Sequence, residues 1–266
     1  LASAAVPPSS SPLQAASPLQ ADIQRVVAAE AAKYNCTIAA AVHSETRGVH
    51  AAAAAGEVSA APGAAASTPE DIFVWGSITK ISTGAAILRR VQEGKLGLND
   101  SIPQYVDPML RAMKRRDPSL NFSSCADLWG DRVAQVTIYH LATMNSGIPD
   151  FDTAKPYPRP PTDSLRATIY EHPSQDYTPP DLLAVPWVHT GKLAFPPGTA
   201  RHGFAYSSTN FVLLGLVLAH LDGAVSWDVF DQTSFMPADV KAKLPSVKYV
   251  RSGAPSSVSR LSGYDR

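Results

Sequence analysis

The stretch Asp71-Ile-Phe-Val-Trp-Gly-Ser77-Ile-Thr-Lys80-Ile-Ser-Thr-Gly-Ala-Ala-Ile-Leu88 changes pattern midway. Its opening is apolar and aromatic. From Gly76 onward Ile78, Ile81, Ala85, Leu88 and Val91 recur three or four residues apart, the period of one helical face, until Gly94 supplies a C-terminal stop. Ser77 therefore stands at a helix N-terminus, and Lys80, three residues on, shares its face. A serine hydroxyl is a poor nucleophile until something accepts its proton, and an amine held beside it can do so or can tune a second base. The free N–H groups of a helix start favour negative charge on the attacked oxygen. The four letters Ser-x-x-Lys alone read more readily as a plain helix N-cap, so the flanking sequence has to decide.

Toward the N-terminus, residues 1–20 are rich in Pro, Ser and Ala, with Ser-Pro-Leu-Gln at Ser11 and again at Ser17, and read as a flexible arm before a single domain over 21–266. From Ala21 to Tyr34, Ile23, Val26, Val27 and Ala31 keep helical spacing. Cys36 to His43 and Gly48 to Gly56, split by the polar Ser44-Glu45-Thr46-Arg47, predict a β-hairpin. Toward the C-terminus, the polar and basic stretch 107–132 and the proline-rich stretch 152–197 read as surface excursions. Asn210 to Leu221, apolar almost throughout and followed by Asp222-Gly223, predicts a buried helix.

With 266 residues, 45% of them hydrophobic, the chain can bury a sizeable core. Twenty-three basic residues balance 23 acidic ones, so nothing points to nucleic acid or an anionic membrane, and a small or neutral molecule is the expected partner. The longest apolar run, Phe211 to Leu218, is far short of the roughly 20 residues that cross a bilayer. Leu1-Ala-Ser-Ala-Ala-Val-Pro-Pro reads like the remnant of a cleaved leader, and a trimmed sequence would look the same. Asn35, Asn99 and Asn121 head N-x-Ser/Thr sequons, the acceptor pattern of a secreted or lumenal glycoprotein. Cys36 and Cys125 are the only cysteines; they allow one long-range disulfide, which we expect, or two buried thiols, and no thiolate metal site. His43, His50, His140, His172, His202 and His220 show no ligand-like pairing, so no metal is expected.

The stretch 71–88, followed by Glu93-Gly-Lys-Leu-Gly-Leu-Asn-Asp-Ser-Ile-Pro-Gln-Tyr-Val106, resembles the nucleophile block of the class C β-lactamase and D-alanyl-D-alanine peptidase family, penicillin-binding-protein-like serine hydrolases. Two further stretches resemble it in the same order. They are Val136-Thr-Ile-Tyr-His-Leu-Ala-Thr-Met-Asn-Ser-Gly147-Ile-Pro-Asp150, and Phe195-Pro-Pro-Gly198 with Phe204-Ala-Tyr206-Ser-Ser-Thr-Asn210-Phe-Val-Leu-Leu-Gly215. The resemblance implies an α/β (α+β) fold, an antiparallel sheet packed with helices beside a mostly helical lobe over residues 78–220. It implies acyl transfer from a small amide, ester or peptide through an acyl-serine at Ser77, without a cofactor. Lys80 and Tyr206 would manage the proton.

The sequence departs from the family in two places. The second motif, Tyr-x-Asn, falls on Tyr206-Ser207-Ser208, so substrate-binding Ser208 stands where an asparagine amide would hold the lysine and the substrate; a hydroxyl is shorter and has one donor instead of two. The third motif, Lys/His-Thr/Ser-Gly, should follow Tyr206, but the only such letters, His189-Thr190-Gly191, precede it and read as coincidence. The resemblance runs from about residue 21 to the end, and the family's last third is not seen in it. A C-terminal fragment of the same protein, or a partner chain, is expected to complete the sheet. Two rivals stand beside an active hydrolase: a catalytically impaired glycoprotein serving as a structural or binding module, and chance similarity on an unrelated fold.

Overall fold

The computed structural model describes residues 18–73, 75–152, 175–245, 247 and 249. The chain divides into two compact units, one up to residue 74 and one over Trp75–Ser257.

The first unit is a helix on a hairpin. Helix α1, Pro18–Tyr34, begins three residues before the expected start, so the arm read over 1–20 yields its last residues to the helix. Proline suits a first turn, whose N–H groups have no helical partner anyway. Strands β1, Ile38–Ser44, and β2, Val49–Ala55, pair antiparallel from Ile38↔Ala55 to Ser44↔Val49. Val27 and Ala31 of α1 are buried, as are Ala51, Ala53 and Ala54 of β2. The Gln20 amide donates to Ala52 O and accepts from Ala52 N, and Gln24, one turn on, donates to Ala54 O. An amide carries the donor and acceptor that one strand residue lacks at a free edge, so α1 satisfies that edge of β2.

The second unit is helical. After a 3₁₀ turn at Gly76–Ile78 come α2, Thr79–Gln92; α3, Pro103–Arg116; α4, Cys125–Trp129; α5, Ile138–Ala142; α6, Pro179–Ala184; α7, Thr209–Leu221; and α8, Ala238–Ala242. Helix α7 is apolar around most of its circumference and forms the centre, packed against α2, α3 and α5. Leu213, Leu214, Val217 and Ala219 are wholly excluded from solvent, together with Ile102, Leu110, Leu128 and Ile138. Among the described residues the mostly helical lobe expected over 78–220 is present.

Two readings are corrected. The α2 stripe is inverted: Ile78, Ile81 and Leu88 are 54%, 73% and 60% exposed, while Ala86, Ile87 and Arg90, on the opposite side, are buried. Arg90 is drawn in by Glu93, at 2.9 Å, and Asp222, at 2.6 Å. The stretch 107–132 is no excursion, because Met109, Leu110, Met113, Phe122, Cys125, Leu128 and Trp129 are buried. Its basic Lys114-Arg115-Arg116 is the last turn of α3, where cations favour the helix dipole, and Arg116 pairs with both carboxylate oxygens of Asp228. Of the stretch 152–197, residues 153–174 lie outside the described residues; the remainder includes buried Leu183 and Val188, whose carbonyl accepts the Trp129 indole N–H. Among the described residues no helix is long and apolar enough to cross a membrane.

Candidate active site

Ser77 lies in the 3₁₀ turn that leads into α2, held there as Thr79 Oγ1 donates to Gly76 O at 2.7 Å. One turn on, Lys80 Nζ donates to Ser77 Oγ at 3.0 Å and to Ser208 Oγ at 3.3 Å. The Tyr206 hydroxyl is 2.7 Å from Ser77 Oγ. The ammonium also lies 5.1 Å from the centroid of the Tyr206 ring and 5.7 Å from that of Phe211, both attractive cation–π placements. Ser77, Lys80, Tyr206 and Ser208 thus form one connected polar cluster.

The Tyr206 side of the cluster rests on the turn after α5. Ala205 N–H donates to Met144 O at 2.7 Å. Met144 Sδ accepts the Ser207 N–H at 3.4 Å and the Asn210 amide at 3.5 Å. Asn210 Oδ1 accepts the Ser146 hydroxyl at 2.7 Å, and Asp150 Oδ1 accepts the Ser208 N–H at 2.9 Å. Met144 holds a left-handed backbone, φ 58°, unusual for a side-chain-bearing residue and costly enough to need such fixing. Sequence reasoning assigned no role to Met144, Asp150 or Asn210; their only signal was membership of the two flanking stretches.

The Tyr206 phenol is shifted below its ordinary pKa. Burial pushes it up, and the hydrogen bonds with Lys80, Ser77 and Ser208, with the Lys80 charge, outweigh burial. The arrangement holds a serine hydroxyl against both a cation and a phenol biased toward its anion.

A family model, Beta-lactamase, matches residues 23–241. The chain belongs to the β-lactamase family. Its fold is similar to that of a D-amino acid amidase from Ochrobactrum anthropi SV3, with a TM-score of 0.55 at 20% identity over 85% of this chain and 51% of that one. It is also similar to a D-stereospecific amidohydrolase from Streptomyces sp., with a TM-score of 0.51 at 23% identity over 77% and 52%. A third is EstCE1, a hydrolase with promiscuous acyltransferase activity, with a TM-score of 0.51 at 18% identity over 77% and 47%. The chain spans about half the length of these proteins. No curated protein matches it.

Within this β-lactamase-family chain the letters His189-Thr190-Gly191 serve α4. His189 Nε2 lies 3.0 Å from Asp127 O, its ring stands edge-on to Phe122, and Gly191 N–H donates to Leu128 O. His140 caps α5: its Nδ1 accepts the Thr137 N–H at 3.2 Å, and burial holds its pKa down. His172 lies outside the described residues. Among the described residues no three His, Cys, Asp or Glu side chains gather as metal ligands would. The expected Cys36–Cys125 disulfide is absent, since both thiols are free. Cys125 is fully buried at the start of α4, and burial with the neighbouring Asp107 carboxylate pushes its thiol well up, so it packs as a small apolar group. Asn35, Asn99 and Asn121 are all exposed.

Proposed function

We propose that this chain is a serine hydrolase that transfers the acyl group of a small amide or ester to Ser77 and then to water. The observation that carries the reading is the Ser77 hydroxyl held between the Tyr206 hydroxyl, at 2.7 Å, and the Lys80 ammonium, at 3.0 Å. In the step this supports, Tyr206 as phenolate takes the Ser77 proton while Oγ attacks the carbonyl carbon, and Lys80 stabilises the phenolate beforehand. Collapse of the tetrahedral intermediate breaks the bond to the leaving group, which takes the proton back from Tyr206. Water, deprotonated by Tyr206, then attacks the acyl-serine and regenerates Ser77. The Ser77 N–H is one donor for the developing oxyanion, and a second donor from further polypeptide completing the sheet belongs to the same reading. So does a secreted, glycosylated setting, which the exposure of all three sequon asparagines supports.

The test is to incubate the chain with an activated ester and with a chromogenic β-lactam, following release of the leaving group and the mass of the Ser77 peptide. We expect an acyl adduct on Ser77 in the wild type and none in Ser77→Ala. Adduct on another residue, or none in either protein, would overturn the reading.

A further inference from the structure

A cavity of about 240 Å³ lies within the second unit, between α2 and α7, and the proton chemistry proposed for Ser77 makes no use of it. Five aromatic rings line it, those of Phe211, Trp227, Phe230, Phe235 and Tyr249, and no lining side chain carries a formal charge. Its polar wall is small: Ser82 and Thr83 from α2, the Gln232 amide, and Tyr249, whose hydroxyl donates to Ser82 Oγ at 2.9 Å. An engineered apolar cavity of about 150 Å³ stays dry and takes up benzene, so this one has room for a single ring and a short substituent.

Gly215 adds an independent observation. It sits in the middle of α7, where glycine weakens a helix relative to alanine, and it lines the cavity. Two usual reasons for glycine are a left-handed backbone and a close neighbour. Neither applies, because the residue is helical and a Cβ placed on it would meet nothing within 4 Å. What the missing side chain leaves is space.

We infer that this cavity is a binding site for a small neutral aromatic molecule, one ring with a short arm bearing a hydroxyl or amide group that pairs with the Ser82 and Tyr249 hydroxyls. Aromatic walls recognise the ring through offset or edge-to-face contacts, and the hydroxyl pair orients the arm. An anionic ligand is disfavoured, because no cation in the wall meets its charge. Phe211 is shared between the cavity and the surroundings of Lys80, which places the site beside the nucleophile cluster without including Ser77.

The probe is benzyl alcohol, with benzoate as its charged counterpart, titrated into the 266-residue chain and read by tryptophan fluorescence, to which Trp227 contributes, and by the shift in thermal midpoint. We expect saturable binding of benzyl alcohol, at least 10-fold weaker binding of benzoate, and at least a 10-fold loss of benzyl alcohol affinity in Gly215→Leu. Gly215→Ala, whose added methyl has room, should raise the thermal midpoint and weaken binding only a few-fold, and it decides the matter if Gly215→Leu does not fold. No saturable response, equal binding of benzoate, or unchanged affinity in both variants would each overturn the assignment. Labelling of Ser77 is measured in the same samples and stands apart from these outcomes, so failure of the hydrolase reading is seen separately.

Discussion

The hydroxyl of Ser77 lies 2.7 Å from the hydroxyl of Tyr206, 129 residues away in the chain, with Lys80 Nζ 3.0 Å from the same serine oxygen. With its pKa below the ordinary phenol value of about 10, Tyr206 becomes anionic at lower pH than a free tyrosine. Acylation of Ser77 should therefore rise with pH and level off below pH 10. Tyr206→Phe should lower the rate by about 10² or more and remove this rising limb. A pH–rate series on both proteins with an activated ester checks it; an unchanged limb in the variant would assign the base elsewhere.

Met144 gives the second prediction. Met144→Leu keeps nearly the same volume, a change that by packing alone costs less than about 1.5 kcal/mol. Here it also strips an acceptor from the Ser207 N–H and the Asn210 amide, both on buried residues. Unmet buried donors cost about 1–3 kcal/mol, so the loss should exceed an ordinary repacking. Urea unfolding gives that loss. The rate of Ser77 labelling should fall as well, because the Met144 thioether fixes Ser207, the neighbour of Tyr206.

These contacts mark how far the sequence could be read. The spacing of Ser77 and Lys80 is local and survives folding, because residues three apart on a helix meet wherever the helix goes. The side of α2 that faces inward is a tertiary matter. Periodicity found the stripe of Ile78, Ile81 and Leu88, while the chain buries Ala86 and Ile87 and folds the charge of Arg90 under Asp222. Met144 was illegible for the same reason. A thioether accepting N–H groups from a segment about 60 residues away leaves no pattern, and left-handed backbone at methionine has no letter of its own.

Gly147 is a sharper case. Its φ is 79°, and a Cβ there would collide with Phe195 O. Gly147→Ala combines left-handed backbone, about 1–2 kcal/mol, with overpacking, about 1–3 kcal/mol, against a backbone atom. We expect a loss of about 2–5 kcal/mol on thermal or urea unfolding. A loss under 1 kcal/mol would show that the Ser146-Gly147 turn and the segment at Phe195 move apart at little cost.

Acid titration tests the ion cluster around Arg90. Hydrogen bonds from Arg89, Lys95 and Arg90 hold Glu93 at about 2, below the ordinary glutamate value of about 4.3. A lowered carboxylate pKa stabilises the fold fully above the unfolded value, and this contribution is lost as pH falls through the folded one. Part of the wild-type stability should therefore disappear between about pH 4.3 and about pH 2. Glu93→Gln should flatten that part of the curve of urea midpoint against pH. Asp228, held at about 2 mainly by Arg116, keeps a residual slope in the variant.

The last prediction concerns Ser208, the residue at which the sequence departs from the motif its flanks resemble. Its hydroxyl accepts from Lys80 Nζ at 3.3 Å, and its N–H is fixed on Asp150. Ser208→Ala removes one partner of a partly solvated ammonium, and such contacts are worth about 1 kcal/mol or less, so labelling of Ser77 should fall only a few-fold. Ser208→Asn acts differently. The carboxamide oxygen can keep the contact to Lys80 while the NH₂ supplies two donors that a hydroxyl lacks, at a position just before α7 where asparagine is well tolerated. An amide substrate, with a poorer leaving group, depends on such positioning more than an activated ester does. Ser208→Asn should therefore raise acylation by an amide about 10-fold relative to the ester, with the ester rate nearly unchanged. The comparison is the ratio of the two rates in wild type and variant, measured on the Ser77 peptide. An unchanged ratio would mean that the group at position 208 meets Lys80 and does not reach the substrate.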